Sequence, residues 1–284
     1  MYKYLSIIAI CCFRFGTGYN WRFNNDKQKS LLHHLSGAMP SRFDKILSNQ
    51  PNMNRSGEGI KLCHRSSPDF QKCLEAGLTS GLYYFRDGDK NLNIPRIDPL
   101  EMQPFEVKTD GSQVALRLNF KKPFIGGMSD STITHVELDV DKDCYWKLDV
   151  ITPALRLFGE YQIDGKLMMF ELNGHGKCNI TALDLHHRQT MKCRKFKKDG
   201  KEYIKLTDYD IKAKPSKVVY EFEDLVPNSK EITKAILDTF NGEEESLMIY
   251  NEMEASLEKY IGEVHKMTID AAFSMLPLEE FFPM

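Results

Sequence analysis

The sequence predicts an α+β fold in which a long, strongly curved antiparallel sheet wraps around a long carboxy-terminal helix. Three observations predict it. From Val107 to Phe222 apolar residues recur at every second position, the period of a strand with one buried face. Turn pairs, Asp164-Gly165, Asn173-Gly174 and Asp199-Gly200, stand close together in that region and suit an antiparallel meander of hairpins. Past Asp224 the period lengthens to three and four and persists to Met275, the pattern of a helix.

At the amino terminus Lys3 precedes the apolar run Leu5 to Phe13, and the small residues Gly16 and Gly18 follow, with Arg14 between. This is the pattern of a signal peptide, expected over residues 1–18. The run is too short to span a bilayer, and no later segment has the roughly 20 apolar residues a membrane helix needs. A secreted, extracellular protein without stable membrane insertion is expected. Residues 19–59 are polar and mixed, punctuated by Pro40, Pro51 and Gly57, and read as a loosely ordered extension. The folded domain is expected over 60–284.

Ser67 suits a helix N-cap, and Pro68 suits a first helical position because its missing N–H would be unsatisfied there anyway. Phe70, Leu74, Leu78 and Leu82 follow at helical spacing. A bond from Cys73 back to Cys63 would staple the incoming chain to this helix. Asn93 to Leu100 holds two prolines around Ile94 and Ile97, which favours an extended bridge to the sheet. Strand alternation then runs through Val114, Leu116, Leu118 and Phe120, through Val136, Leu138 and Val140, through Leu155, Leu157, Tyr161 and Ile163, and through Val218, Tyr220 and Phe222. A short helix is expected over 231–240, stopped by Asn241-Gly242. Leu247, Tyr250, Met253, Leu257, Tyr260, Ile261, Val264, Met267, Ala271 and Met275 then mark one face of a helix closed by Pro277. About thirty residues give a rod of roughly 45 Å, and the concave face of a twisted sheet is the partner surface available to it.

Thirty-eight Lys and Arg against 40 Asp and Glu give a formal charge of −2, without the basic excess that binding nucleic acid demands. The densest basic run, Lys192 to Lys201, surrounds Asp199-Gly200 and reads as a solvated hairpin tip. Loss of residues 1–18 would remove Cys11 and Cys12 and leave Cys63, Cys73, Cys144, Cys178 and Cys193 in an oxidising compartment. Any two of the last three could pair. Asn54-Arg55-Ser56 and Asn179-Ile180-Thr181 have the glycosylation pattern, which places candidate glycans on Asn54 and Asn179.

With those pieces in place, the chain resembles the insect takeout and juvenile-hormone-binding-protein family over roughly Gly59 to Pro283. The resemblance rests on Cys63-His64-Arg65 with Cys73, Ile94-Pro95, Ile97-Asp98-Pro99-Leu100, Gly159 to Lys166, Gly174 to Thr181, Phe240-Asn241-Gly242 and Leu278 to Pro283. It implies a TULIP-type superhelical fold with a hydrophobic tunnel, and a carrier that takes a juvenile hormone, a terpenoid or a fatty acyl lipid without catalysis and without a cofactor. The chain departs from the pattern in its longer amino-terminal stretch, in an insertion at Val226 to Thr239 near a tunnel mouth, and in Cys144, Cys178 and Cys193.

For the ligand-binding lining the strand faces offer Leu116, Leu118, Phe120, Leu155, Leu157, Tyr161, Met169, Phe170 and Tyr220. The helix offers Met253, Leu257, Tyr260, Val264 and Met267. Met side chains adapt to irregular ligands. At about 0.8 kcal/mol per buried methylene, a chain of roughly a dozen carbons offsets the cost of association without a charged anchor. A filled-in tunnel in an interaction protein of the same fold is the alternative, its contacts made by residues 19–59 or by the 226–239 insertion. A third reading, a zinc hydrolase, would use Cys178 and His186 from the set His175, Cys178, His186, His187 and Cys193; their spacing lacks the close ligand pairs of such sites. No nucleophile elbow, phosphate loop or dinucleotide fingerprint is present, so no metal or catalytic residue is assigned.

Overall fold

A computed structural model describes residues 63–88, 96–111, 113–274 and 277–284. The expected signal segment, the 19–59 extension and Asn54 lie outside the described residues. Among the described residues the chain forms one antiparallel sheet of eight strands, four α-helices and a 3-10 turn at Met128–Asp130.

The sheet is built on one very long hairpin, β5 (Tyr145–Leu167) and β6 (Phe170–Lys198). Each of these strands is long enough to carry two partners end to end. Along its outer edge β5 pairs β4 (Thr132–Asp139) and then β3 (Val114–Gly126), while β6 pairs β8 (Lys217–Phe222) and then β7 (Lys201–Lys214). The two short strands β1 (Leu100–Glu101) and β2 (Phe105–Lys108) both add to β3. The expected meander is therefore replaced by a central hairpin flanked by shorter strands. The Asp199-Gly200 turn forms as expected, but Asp164-Gly165 and Asn173-Gly174 lie inside strands, and the chain reverses at Met168-Met169. The two glycines answer a different need. A Cβ on Gly165 would come within 2.4 Å of the Ala115 carbonyl oxygen, and one on Gly174 within 2.4 Å of that of Asp224, so close backbone approach requires glycine at both.

Halfway along the hairpin the inward parity flips. Leu148, Val150 and Thr152 are buried on β5 before the break, and Tyr161 and Ile163 after it; on β6, Cys178 gives way to Leu185 and Met191. Pro153 and Asp184 drop out of the register there, and Asp184 takes a φ of 45°. Cys178 and Leu185, of opposite parity along β6, are both buried because of this irregularity. Two separate cores result. One gathers Trp146, Val136, Met191 and Phe273; the other gathers Leu118, Tyr161, Tyr220 and Ile249.

Helix α1 (Phe70–Tyr84) starts two residues later than Ser67-Pro68 suggests, with Asp69 at the N-cap. It buries Phe70, Leu74 and Leu78. Its polar face covers the open edge of β4, where Thr79 Oγ1, Glu75 Oε1 and Gln71 Oε1 accept the N–H groups of Ile133, Val136 and Leu138 at 2.9, 3.1 and 3.2 Å. An edge satisfied in this way cannot template another strand. Cys63 and Cys73 form the expected disulfide, and Cys144 pairs with Cys193, leaving Cys178 reduced and buried. Arg65 holds the carboxy-terminal segment through Glu279 at 2.8 Å and also binds Asp141 at 2.7 Å.

Most of the 226–239 insertion forms α2 (Lys230–Phe240), which runs one residue past it and buries Thr233, Ile236 and Phe240, the last two in the second core. Asn241 then imitates a strand residue. Its Oδ1 accepts the Tyr220 N–H at 2.7 Å and its Nδ2 donates to the Tyr220 carbonyl at 3.0 Å, closing the edge of β8.

Helix α3 (Glu243–Phe273) runs for 31 residues, roughly 46 Å, and is followed by α4 (Leu278–Phe281). It is tied to both sides of the sheet. Ser256 and Tyr260 donate to the carbonyls of Lys108 and Gln103 beside β2, at 3.1 and 3.3 Å. Opposite, Lys266 donates to Thr207 at 2.6 Å and the Leu206 N–H donates to Asp270 at 2.7 Å, both on β7. One helix can bond both margins only if the sheet curls around it, and this is the predicted architecture.

Candidate functional site

Between the sheet and α3 lies an apolar cavity of about 110 Å³. It opens beside the second core, whose Leu118, Phe120, Tyr220 and Met253 form part of its wall. Strand β3 contributes Leu118, Phe120 and Ile125, and β2 contributes Phe105 and Val107. The central hairpin contributes Leu155, Leu157, Ile180, Ala182 and Leu185, on either side of Pro153 and Asp184. Ile211 and Ala213 of β7, Val218 and Tyr220 of β8, Tyr250, Met253, Leu257, Glu258, Tyr260 and Ile261 of α3, and Met102 complete it. Phe105 is stacked between Phe120, at 4.7 Å, and Tyr260, at 4.2 Å, and closes one wall with aromatic faces.

The polar atoms of this lining are turned away or paired. Tyr220 donates to the Ser246 carbonyl at 3.1 Å, Tyr250 to that of Ala213 at 3.0 Å, and Tyr260 to that of Gln103 at 3.3 Å. Burial pushes all three phenols above the ordinary tyrosine range. Each tyrosine presents an apolar ring while its oxygen is satisfied by backbone. The Glu258 carboxylate accepts Lys212 Nζ at 2.6 Å and the Ala213 N–H at 3.2 Å. Such a wall can exclude water and offer dispersion contact, and its tyrosine and Glu258 oxygens are already engaged.

Of the residues expected to line a ligand site, the structure brings together Leu118, Phe120, Leu155, Leu157, Tyr220, Met253, Leu257 and Tyr260. Six lie elsewhere. Leu116 packs in the second core beyond the cavity. Tyr161 is buried there too, its hydroxyl bonded to the Glu223 carbonyl, with burial pushing the phenol up. Phe170 packs on Phe240, 6.3 Å between ring centres. Met169 is 79% exposed because the chain reverses at that residue and not at Asp164-Gly165, and Met267 is 66% exposed. Val264 is also outside the lining. The last two mislead because the inward stripe of α3 runs through the buried Ile249, Met253, Ile269 and Phe273 with the part-buried Ile261 and His265 between them, and a polar His265 inside it hides its course. Phe105, Ile180, Leu185 and Ile211 carried a legible signal, alternation with polar neighbours; nothing in the sequence distinguished cavity lining from core.

A zinc centre on Cys178 and His186 is ruled out by geometry. Both lie on β6, eight residues apart, which is roughly 26 Å of strand. Cys178 is buried, and desolvation pushes its thiol up to about 12, whereas Cys193 is in a disulfide. Among the described residues no group of three or more His, Cys, Asp or Glu is arranged to hold a metal ion. Asn179 sits mid-strand in register with Phe158 and Glu221, its Nδ2 donating to Glu221 at 2.5 Å.

At one end of the cavity stands a polar cluster. Tyr209 Oη is 2.7 Å from His265 Nδ1 and 2.9 Å from Gln189 Oε1, and Gln189 Nε2 is 3.5 Å from His187 Nδ1. Burial holds both imidazoles down to about 4, and His265 also disfavours a charge on His187. Both rings are therefore neutral near pH 7.

A curved sheet closed by one long helix over an apolar cavity defines a protein built to enclose a hydrophobic molecule. The family described as haemolymph juvenile hormone binding protein matches residues 46–283, and the chain belongs to that family. It is 19% identical over 219 residues to the circadian clock-controlled protein daywake of Drosophila melanogaster, covering 75% of this chain and 84% of that one. It is 21% identical over 227 residues to a protein of Schistocerca gregaria named as a candidate beta-carotene-binding protein, covering 79% and 88%. The crystal structure of Epiphyas postvittana takeout 1 superposes with a TM-score of 0.68 at 15% identity, over 79% of this chain and all of that one.

Proposed function

We propose that the protein is a secreted, non-enzymatic carrier that holds one small hydrophobic molecule between the sheet and α3. The observation that carries this reading is the cavity itself: lined by apolar side chains, with every tyrosine hydroxyl of the wall bonded to a backbone carbonyl. Membership of a family described by juvenile hormone binding supports it, as does a relative named for beta-carotene binding. A terpenoid, such as a juvenile hormone, or an acyl lipid is the class proposed. Export rests on the signal pattern of residues 1–18 and on two disulfides, which persist in oxidising compartments. No helix among the described residues is long and apolar enough to cross a membrane.

One observation favours a second reading. A cavity of about 110 Å³ is smaller than the roughly 300 to 1,000 Å³ of ordinary ligand pockets, as expected of an interaction protein whose tunnel has closed. Mass spectrometry of organic extracts from the secreted protein separates the two. A stoichiometric terpenoid or acyl lipid supports the carrier, with the walls moving apart to admit it. An empty protein that also rejects a panel of such lipids overturns it.

A further inference from the structure

Three of the elements that line the cavity continue, one step farther, into the polar cluster. On β6 the inward position after Leu185 is His187, then Gln189; His187 is in register with Ala213 and Gln189 with Ile211, both lining residues. On β7 the inward position beyond Ile211 is Tyr209, and on α3 the residue one turn past Ile261 is His265. One strand step is roughly 7 Å and one helical turn 5.4 Å, so the apolar trough ends against these groups.

The four side chains form one chain of hydrogen bonds with a definite polarity. If His265 Nδ1 carries its proton, it donates to Tyr209 Oη, which donates to Gln189 Oε1, and Gln189 Nε2 faces a bare His187 Nδ1. Rotation of the Gln189 amide and a change of tautomer reverse every bond. In either direction one imidazole ends the chain with an Nε2–H donor and the other with a bare Nε2 acceptor. Neither Nε2 has a hydrogen-bond partner among the described residues, and both residues are only part-buried. A neutral donor and a neutral acceptor are thus available at the end of an apolar trough, and the chain between them can switch direction to suit a guest.

We propose that His187, Gln189, Tyr209 and His265 form the polar end of the ligand site, and that the ligand is an elongated apolar molecule ending in an uncharged oxygen function such as an alcohol, aldehyde, ketone or ester. The proposal rests on the carrier reading. Desolvation that keeps both imidazoles uncharged also disfavours a carboxylate, which would enter without a counter-charge. The site therefore selects neutral ends over ionised ones.

The test is displacement of the fluorescent apolar probe N-phenyl-1-naphthylamine from the full-length secreted protein at pH 7.5 by dodecane, dodecanol, methyl dodecanoate and dodecanoate. Dodecanol and methyl dodecanoate are expected to compete about five to tenfold more tightly than the other two, the range of one or two net hydrogen bonds. In His187→Leu and, separately, His265→Leu, that preference is expected to fall to within twofold while dodecane competes as before; either variant suffices if the other does not fold. Equal competition by dodecane and dodecanol, tightest competition by dodecanoate, or a preference untouched in the folded variants overturns the inference and leaves the carrier reading standing. Failure of the wild-type protein to bind the probe or any of the four overturns both.

Discussion

The neutral imidazole pair makes stability depend on pH in a calculable way. His187 and His265 have folded-state pKa values near 4 against an ordinary 6.5, so between those values the unfolded chain binds protons that the folded chain refuses. Their contribution is fully present above pH 6.5 and is lost as pH falls toward 4. At pH 5 the loss is about 1.5 units for each ring, which at about 1.36 kcal/mol per unit is about 2 kcal/mol each and about 4 kcal/mol for the pair. Because both residues are only part-buried, that sum is a ceiling. The carboxylates of Asp87, Glu137, Asp139 and Asp149 are held below their ordinary values, so what they add is lost only below this window. The assay is urea unfolding at pH 7.5 and 5.0 of the wild type and of the double variant His187→Phe with His265→Phe. Between those pH values the wild type is expected to lose up to about 4 kcal/mol more than the variant. Equal losses in the two proteins would refute the assignment of neutral, desolvated rings.

Three further outcomes follow from the geometry. Leu118→Trp fills the cavity and is expected to abolish uptake of N-phenyl-1-naphthylamine with unfolding still cooperative, whereas Met267→Trp, at a position 66% exposed, is expected to leave uptake unchanged; normal uptake by the first would place the ligand elsewhere. Replacing Cys144 and Cys193 by Ser, which opens a loop of 49 residues, is expected to cost about 4 kcal/mol by loop entropy, against about 3 kcal/mol for Cys63 and Cys73 with a separation of 10; the reverse order in urea unfolding would show that strain and not loop length governs. Asn241→Ala removes both bonds to the edge of β8 and is expected to cost about 1 to 3 kcal/mol, which thermal unfolding would read; no change would mean that water replaces the amide fully.

The sheet and the long helix were legible because their periods differ and each persists over many residues. Turn placement was not, since Asp164-Gly165 and Asn173-Gly174 carry the residues of a hairpin turn while serving close backbone approach in strands that continue past them. Local turn chemistry loses to a register held by 23- and 29-residue strands. The site was half legible. Strand parity located Leu118, Phe120, Leu155 and Leu157 on the inner face, but parity reads which face a side chain takes, and Leu116 and Tyr161 share that face in the same core as Leu118 and Phe120 without lining the cavity. In the carboxy-terminal half of α3 the face was read at Val264, one position before the inward His265, because a part-buried histidine looks like a solvent-facing one in a sequence. Only its partner Tyr209, and Gln189 bonded to Tyr209 in turn, from strands far away in the chain, show why it is inside.

The cavity's position follows from the break in the sheet. The cavity borders the break at Pro153 and Asp184, which leave the pairing there: its lining takes Leu118, Phe120, Tyr220 and Met253 from the second core, Leu157 and Ile180 packed against that core, and Leu155, Ala182, Leu185, Ile211 and Ala213, which belong to neither core. The lining there is small or only partly buried: Leu155, Leu157, Ile180, Ala182 and Ala213 are all of intermediate exposure. If that space is held open for a ligand, the empty protein carries a packing defect and should gain from filling it. Ala182→Leu adds three carbons at the seam. At about 0.8 kcal/mol for each, it is expected to stabilise the empty protein by up to about 2 kcal/mol and to abolish ligand uptake together. A well-packed seam would instead force the larger side chain off its rotamers and lose about 1 to 3 kcal/mol. Urea unfolding of the delipidated variant decides by sign: a gain coupled to lost binding means that the break between the cores is kept for the ligand, and a loss means that the seam is already full.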